Sequence, residues 1–363
     1  MRLVRGTEVL PVDPMAPDRF SLERAAEVIR GGGLVAFPTE TVYGLGANGL
    51  DGEAVRRIFQ AKGRPADNPL ILHFDALEAV LPLVREVPDW ARELARRFWP
   101  GPLTLVLKGA RLVPAAVTAG LDTVAVRVPD NAIALGLIRA AGVPIAAPSA
   151  NLSGKPSPTT AEHVVADLAG RIEMILDGGP TGIGVESTVL DASGDRPRIL
   201  RPGGVSREAL EEVLGPLDEP VTASDRPRSP GMKYAHYSPD AALYLVEHPN
   251  RDWVARTVRE LARRFLAEGR RVGIIVGAEH VDAYLALAGP DRLTVMSLGR
   301  GDREVAANLF AALRAMDERG VEVLICEGYP ETGLGYAVMN RLRKAADRIV
   351  KPDGADLEGK GGS

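Results

Sequence analysis

The stretch Gly31-Gly32-Gly33-Leu34-Val35-Ala36-Phe37-Pro38-Thr39-Glu40-Thr41-Val42-Tyr43-Gly44-Leu45-Gly46 contains the change of period that decides the fold. Before it, Leu22, Ala25, Ala26 and Ile29 recur at helical spacing over 20–30, and the three glycines end that helix. Leu34 to Phe37 then make an apolar β-like run. Directly after it, Pro38 to Gly46 mixes hydroxyls, a carboxylate and two glycines. Hydroxyls at a strand end can bind a small polar ligand, and glycines let backbone N–H groups approach it. The same glycines would equally serve a turn that needs φ > 0 at Gly44 and Gly46.

Outward from this point, the pattern predicts helices over 54–60, 89–98, 132–140 and 160–168. Strands are predicted over 70–74, 103–107, 124–128, 143–147, 173–176 and 187–190. Because the two types are mixed rather than strictly alternating, the first domain should be α+β with a mixed sheet. Between 215 and 240 the texture changes: Pro216, Pro220, Pro227, Pro230 and Pro239 crowd a segment with little apolar periodicity, which reads as an extended, stiff connector. Beyond it, strands over 243–246, 272–276, 293–296 and 321–325 alternate with helices over 252–267, 281–287 and 303–319. That rhythm predicts a small parallel, Rossmann-like α/β sheet. A last helix over 336–346 precedes a Gly-rich tail, 354–363, expected to be disordered. The expected domains are therefore 1–214, a linker over 215–240, 241–350, and a tail over 351–363.

Composition agrees. A chain of 363 residues accommodates two unequal domains, and 45% hydrophobic residues supply a normal core. The formal net charge of −4 argues against coating nucleic acid by bulk charge, while leaving room for a local basic cleft. The single cysteine, Cys326, excludes a disulfide framework and a cysteine-built zinc site, and reads as a buried strand-end residue. Residues 1–14 lack the apolar core of a signal peptide, and no run approaches the ~20 apolar residues of a membrane span. The expectation is a cytoplasmic chain without membrane contact.

Four further clusters could carry chemistry. Lys62-Gly63-Arg64-Pro65-Ala66-Asp67-Asn68-Pro69 places two cations beside Gly and Pro just past a helix, a rigid loop able to clamp a polyphosphate. Cations there would also complement the helix dipole. Ala147-Pro148-Ser149-Ala150-Asn151 through Ser157 offers serines and an asparagine after an apolar strand. They suit phosphate or ribose, or a turn ahead of a helix capped at Thr159 or Thr160. Glu186-Ser187-Thr188 and Arg201-Pro202-Gly203-Gly204 repeat the theme. Arg127 lies on an otherwise apolar strand and needs a partner, either a ligand carboxylate or an internal Asp or Glu. In the second domain, Glu327 to Gly335 follows a strand and precedes a helix as a nucleotide site would. Its Gly-x-Gly is no full fingerprint, and a structural, lid-anchoring role is the favoured reading.

Together the clusters resemble the YrdC/YciO family, whose signature is a Lys-x-Arg pair with a later Ser-x-Asn: here Lys62/Arg64 and Ser149/Asn151. The resemblance runs from about Leu10 to Arg207. The segment Pro230 to Pro239 and the domain after it look like the longer, two-domain threonylcarbamoyl-AMP synthase branch. This resemblance implies a cationic cleft and an enzyme, a nucleotidyltransferase joining L-threonine, bicarbonate and ATP into an adenylate for tRNA modification. It implies Lys62 and Arg64 as catalytic residues. Thr41, His73, Arg127, Ser187 and the backbone at Ala147 would hold L-threonine. Arg64, Asn68, Thr123, Ser149, Asn151, Ser157 and Arg201 would hold ATP, with Tyr237, or Tyr234, as a lid over the nucleotide. Mg²⁺ would come with ATP, held by its phosphates, with no protein-built metal site. A downstream tRNA threonylcarbamoyl transferase would be a partner. The rival reading is a double-stranded RNA or tRNA-binding module using the same cleft. Carbamoyl transfer in metallocentre maturation, where such domains also occur, brings cysteine-rich segments that this chain lacks.

Overall fold

A computed structural model describes residues 2–218, 237–287, 289, 291–352 and the short strand Leu357–Glu358. The chain divides into two compact units, one comprising 1–153 with 157–234 and the other 154–156 with 235–363.

The first unit is built on an eleven-stranded mixed sheet. Its centre runs Val35–Phe37, Gly44–Asn48, Ile145–Ala147, Ile71–His73, Thr123–Arg127, Leu103–Lys108, Thr188–Asp191. Pairing is antiparallel through the first four, parallel between Ile71–His73 and Thr123–Arg127, and antiparallel again to Leu103–Lys108. Helices Arg19–Arg30 and Ala132–Ala141 bury Ala25, Ala26, Ile29, Ile133 and Leu137, in one apolar layer with Val35, Phe37 and Ile145. Helix Gly52–Lys62 starts at Asp51, whose carboxylate caps the amides of Glu53 and Ala54. It ends at Gly63 in the left-handed region, φ 63°, which a glycine adopts without a Cβ clash.

Gly44 and Gly46 do not make the left-handed turn that their sequence also allowed. Gly44–Asn48 is a buried strand, and neither glycine has positive φ. What they supply is room: a Cβ on Gly46 would stand 2.7 Å from Ile145 Cγ2 and 2.8 Å from Phe37 Cε1. Without those glycines the three strands could not close over the Phe37 ring.

The second unit is a six-stranded sheet. In chain order its parallel strands are Ala242–Val246, Val272–Val276, Leu293–Ser297, Val323–Glu327 and Arg348–Val350. In space they lie third, second, fourth, first, fifth, with Leu357–Glu358 antiparallel at the edge. The strand expected over 321–325 sits two residues later, which puts Glu327 at its carboxyl end. The predicted apolar stripe of helix Arg251–Ala267 is buried at Val254, Val258 and Phe265. Cys326 is buried on its strand. Apart from Leu357–Glu358, the tail assigned to 354–363 lies outside the described residues, as do most of the Pro-rich connector and Tyr234. Among the described residues no helix is long and apolar enough to cross a membrane.

Candidate functional site

Sheet register brings the first group of candidate residues together. His73 lies opposite Arg127 on the parallel neighbour and opposite Ile145 on the other side. The Arg127 side chain, 4% exposed, donates from Nη2 to Thr41 Oγ1 at 3.1 Å and from Nε to the Gly101 carbonyl at 3.3 Å. Its counter-ion is Glu40, 2.7 Å away, so an internal acid is the partner the buried guanidinium has in this structure. Thr41 and Thr39 share a hydroxyl hydrogen bond of 2.8 Å. The loop bearing Glu40 and Thr41 is pinned through its carbonyls by the amides of Ile183 and Gly184.

That pinning leads to the next pair. Ser187, fully buried, shares a hydroxyl hydrogen bond of 2.8 Å with Thr104. Arg201, 4% exposed, donates from Nη2 to Ser187 Oγ at 3.2 Å and to the Ser187 carbonyl at 3.0 Å. Gly203 makes this close approach possible, since a Cβ there would stand 2.3 Å from the Glu186 carbonyl oxygen. Ser157, also fully buried, donates to Glu186 Oε1 at 2.5 Å.

The second group gathers at the end of helix Gly52–Lys62. Lys62 is 2% exposed, and its ammonium donates to the carbonyls of Ser149 and Asn151, each at 2.5 Å, and to Asn151 Oδ1 at 3.4 Å. Ser149 Oγ in turn donates to Asn151 Oδ1. The lysine of the signature thus clasps the serine–asparagine loop of the signature. Arg64 Nη2 donates to the Pro69 carbonyl at 3.2 Å. Asn68 is fully buried, and both polar atoms of its amide lack a hydrogen-bond partner among the described residues. Hydrogen bonds of Tyr43 with Pro158 and Ala150, and of Leu45 with Pro148, lace this loop to the Thr41 segment.

Two assigned residues stand apart. Thr123 opens the strand that carries Arg127 and is half-exposed, on the same face but roughly 13 Å along it by strand rise. Tyr237, expected over a nucleotide, belongs to the second unit. Its ring is buried, stacks on Phe310 at 5.2 Å and lies beneath the Arg341 guanidinium at 5.4 Å. A backbone φ of 68° holds it there, unusual for a residue with a side chain. Ala147 is buried beside Gly44, where a Cβ would stand 3.4 Å from its own. The reading of the sequence assigned no role to Glu40 or Glu186, the acids facing Arg127 and Ser157. A carboxylate within three residues of a candidate hydroxyl was the available signal.

Burial, and next the Arg127 charge, push the His73 imidazole down from its ordinary 6.5 to about 3. His73 is therefore a neutral donor–acceptor, with Nδ1 3.2 Å from the Ile71 carbonyl. Among the described residues no group of three or more His, Cys, Asp or Glu could hold a metal ion.

Comparison with known proteins places this arrangement. Residues 27–203 match the family model described as "Telomere recombination", Sua5_yciO_yrdC. Residues 205–347 match "Threonylcarbamoyl-AMP synthase, C-terminal domain". The threonylcarbamoyl-AMP synthase of Pyrococcus abyssi is 54% identical over 92% of this chain and 96% of its own. That of Bacillus subtilis is 50% identical over 93% and 97%. Among solved structures, P. abyssi Sua5 complexed with L-threonine superposes with a TM-score of 0.89 at 52% identity, covering 95% of this chain and all of that one.

Two outcomes are expected from this geometry. Lys62→Met should lower stability by about 1.5–3 kcal/mol, the scale of hydrogen bonds to a charged group, read as a shift in urea midpoint; an unshifted midpoint would contradict the clasp. His73 should stay neutral down to about pH 3 in ring-nitrogen NMR. Its folded pKa lies below the unfolded one, so its contribution to stability is complete above pH 6.5 and is lost as pH falls toward 3. A ring titrating near 6.5 in the folded protein would refute the assignment.

Proposed function

This chain belongs to the two-domain threonylcarbamoyl-AMP synthase family, and on that premise we propose that it makes L-threonylcarbamoyl-AMP and pyrophosphate from L-threonine, bicarbonate and ATP. The product is the activated intermediate for threonylcarbamoyl modification of tRNA, passed to a downstream tRNA threonylcarbamoyl transferase. The observations that support this best are two buried clusters in which hydroxyls meet guanidiniums away from bulk solvent, Thr41 with Arg127 and Glu40, and Ser187 with Arg201.

The chemistry has two steps. The threonine amine takes up bicarbonate with loss of water, giving a carbamate. A carbamate oxygen then attacks the α-phosphorus of ATP in line, the bond to the β-phosphate oxygen breaks, and pyrophosphate leaves. Such a transfer needs little covalent help, so fixed position and charge stabilisation supply the rate. In this reading Arg127, Thr41 and Ser187 orient the amino acid, with neutral His73 and the Ala147 backbone closing its seat. Arg64 and Arg201 meet the charge of the phosphates, and Asn68, Ser149, Asn151 and Ser157 provide amide and hydroxyl partners. Thr123 would lie at the outer end of the nucleotide. Lys62 acts as a positioning residue: its ammonium sets the loop of Ser149 and Asn151. Tyr237 would cover the nucleotide only by leaving the Phe310 ring on which it is stacked here. Mg²⁺ would be held by the phosphates of ATP, since the described residues offer no cluster of ligands for it.

Incubation with ATP, bicarbonate and L-threonine should give the adenylate by mass spectrometry together with pyrophosphate, and L-serine in parallel should give less. Arg64→Ala should lower kcat/KM by about 10²–10³, the usual effect of losing one transition-state donor. Near-normal turnover in that variant would remove Arg64 from the reaction.

A further inference from the structure

The second unit holds a cavity of about 410 Å³ beyond the carboxyl ends of its parallel strands. Its place in the topology is specific. Strand Val272–Val276 sends the chain outward to Leu293–Ser297, whereas its hydrogen-bonded neighbour Val323–Glu327 sends it the opposite way, to Arg348–Val350. Adjacent strands whose connections diverge leave a crevice between their loops, and open α/β sheets bind ligands there. The cavity is lined by residues from both loops, Gly277 to His280 and Glu327 to Pro330.

The lining chemistry narrows the ligand. Three carboxylates, Glu279, Asp302 and Glu327, face it against one guanidinium, Arg251, and the His280 ring. Glu327 is 2% exposed and tightly held: it accepts from the Tyr284 hydroxyl and pairs with His280 Nδ1 at 2.6 Å. Arg251 is turned partly to the Gly328 carbonyl, 2.7 Å away. Such an acidic lining repels a polyphosphate. Glu279 and Asp302 are exposed, so their carboxylates are the acceptors open to a ligand, whereas Glu327 is already engaged. Gly335 keeps part of the wall bare backbone, since a Cβ there would stand 2.0 Å from the Pro330 carbonyl. Val305 and Pro330 add apolar surface.

We propose that this cavity is a second ligand site, which takes a neutral ribonucleoside and rejects polyphosphates. Ribose hydroxyls donate to the exposed carboxylates of Glu279 and Asp302, as to an acidic residue at dinucleotide sites, while the base meets the apolar wall of Val305 and Pro330. The volume falls within the roughly 300–1,000 Å³ of small-molecule pockets. This site is independent of the reaction proposed for the first unit.

The test is calorimetric titration of the full chain with adenosine, free ribose and ATP, in an Arg64→Ala background that weakens the nucleotide grip of the first unit. Adenosine should bind. Glu279→Ala should weaken it about tenfold, the loss of one hydrogen bond to a charged acceptor. Thr332→Trp, which fills the mouth from an exposed position, should abolish it. Ribose alone, and the ATP binding that Thr332→Trp removes, should be much weaker than adenosine. The proposal is overturned if adenosine does not bind, if neither variant changes its affinity, or if ribose or ATP matches adenosine at this site. Should Thr332→Trp fail to fold, Glu279→Ala decides alone. Adenylate formation by the same two substitutions in the Arg64-containing chain should be unchanged; its absence from the unsubstituted chain would count against the first reading and leave this one standing.

Discussion

A buried ammonium organises the first unit. Taking Lys62 out of water costs several kcal/mol, and the carbonyls of Ser149 and Asn151 offset it only with the loop in one conformation. The tie runs both ways, because the Lys62 carbonyl accepts from the amide of Ser153 at 2.9 Å. A helix end and a loop 87 residues apart in sequence are thereby locked, and Arg64 is carried on the next turn of chain. Gly63 completes the device: its left-handed backbone ends the helix at the residue whose side chain is needed.

The remainder of the site follows from one property of sheets. Register puts His73 beside Arg127, and the pairing of strand Thr188–Asp191 with Leu103–Lys108 brings Ser187 to Thr104. Polar groups so buried are strong only if satisfied. Most are: Thr39 to Thr41, Thr41 to Arg127, Arg201 to Ser187 and Ser157 to Glu186 form bonds. Asn68 is an exception among the described residues: both polar atoms of its buried amide lack a partner.

Much of this was legible in the chain. Helices Asp89–Phe98 and Arg251–Ala267 announce themselves because a solvated face must alternate with a buried one at the helical period. Strand Gly44–Asn48 was opaque, since two glycines in five residues mimic a turn and only the packed Phe37 ring reveals their use. Strand Arg198–Arg201 hides behind arginines at both ends. The polar clusters could be found because each follows an element with a clear apolar pattern, the Lys62 loop after a helix and the Ser149 loop after a strand. The contacts of each could not: Lys62 meets the carbonyls of Ser149 and Asn151 and Tyr237 meets the Phe310 ring, partners that only the fold supplies. Glu40 stayed in the background for the same reason: no periodicity tells that an acid will meet an arginine 87 residues later.

If the amino acid is seated at Arg127 as proposed above, the Glu40–Arg127 pair has a bearing on selectivity. A bare guanidinium in a dry pocket would collect any phosphate or sulfate at hand. With a carboxylate of its own chain already seated opposite, the pocket stands neutralised, and a simple anion finds no surplus charge to draw it in. A zwitterion is treated otherwise, because it brings an ammonium for the acid along with a carboxylate for the base. Under that reading the resident ion pair would favour an amino acid over a simple inorganic anion before any hydroxyl inspects the side chain.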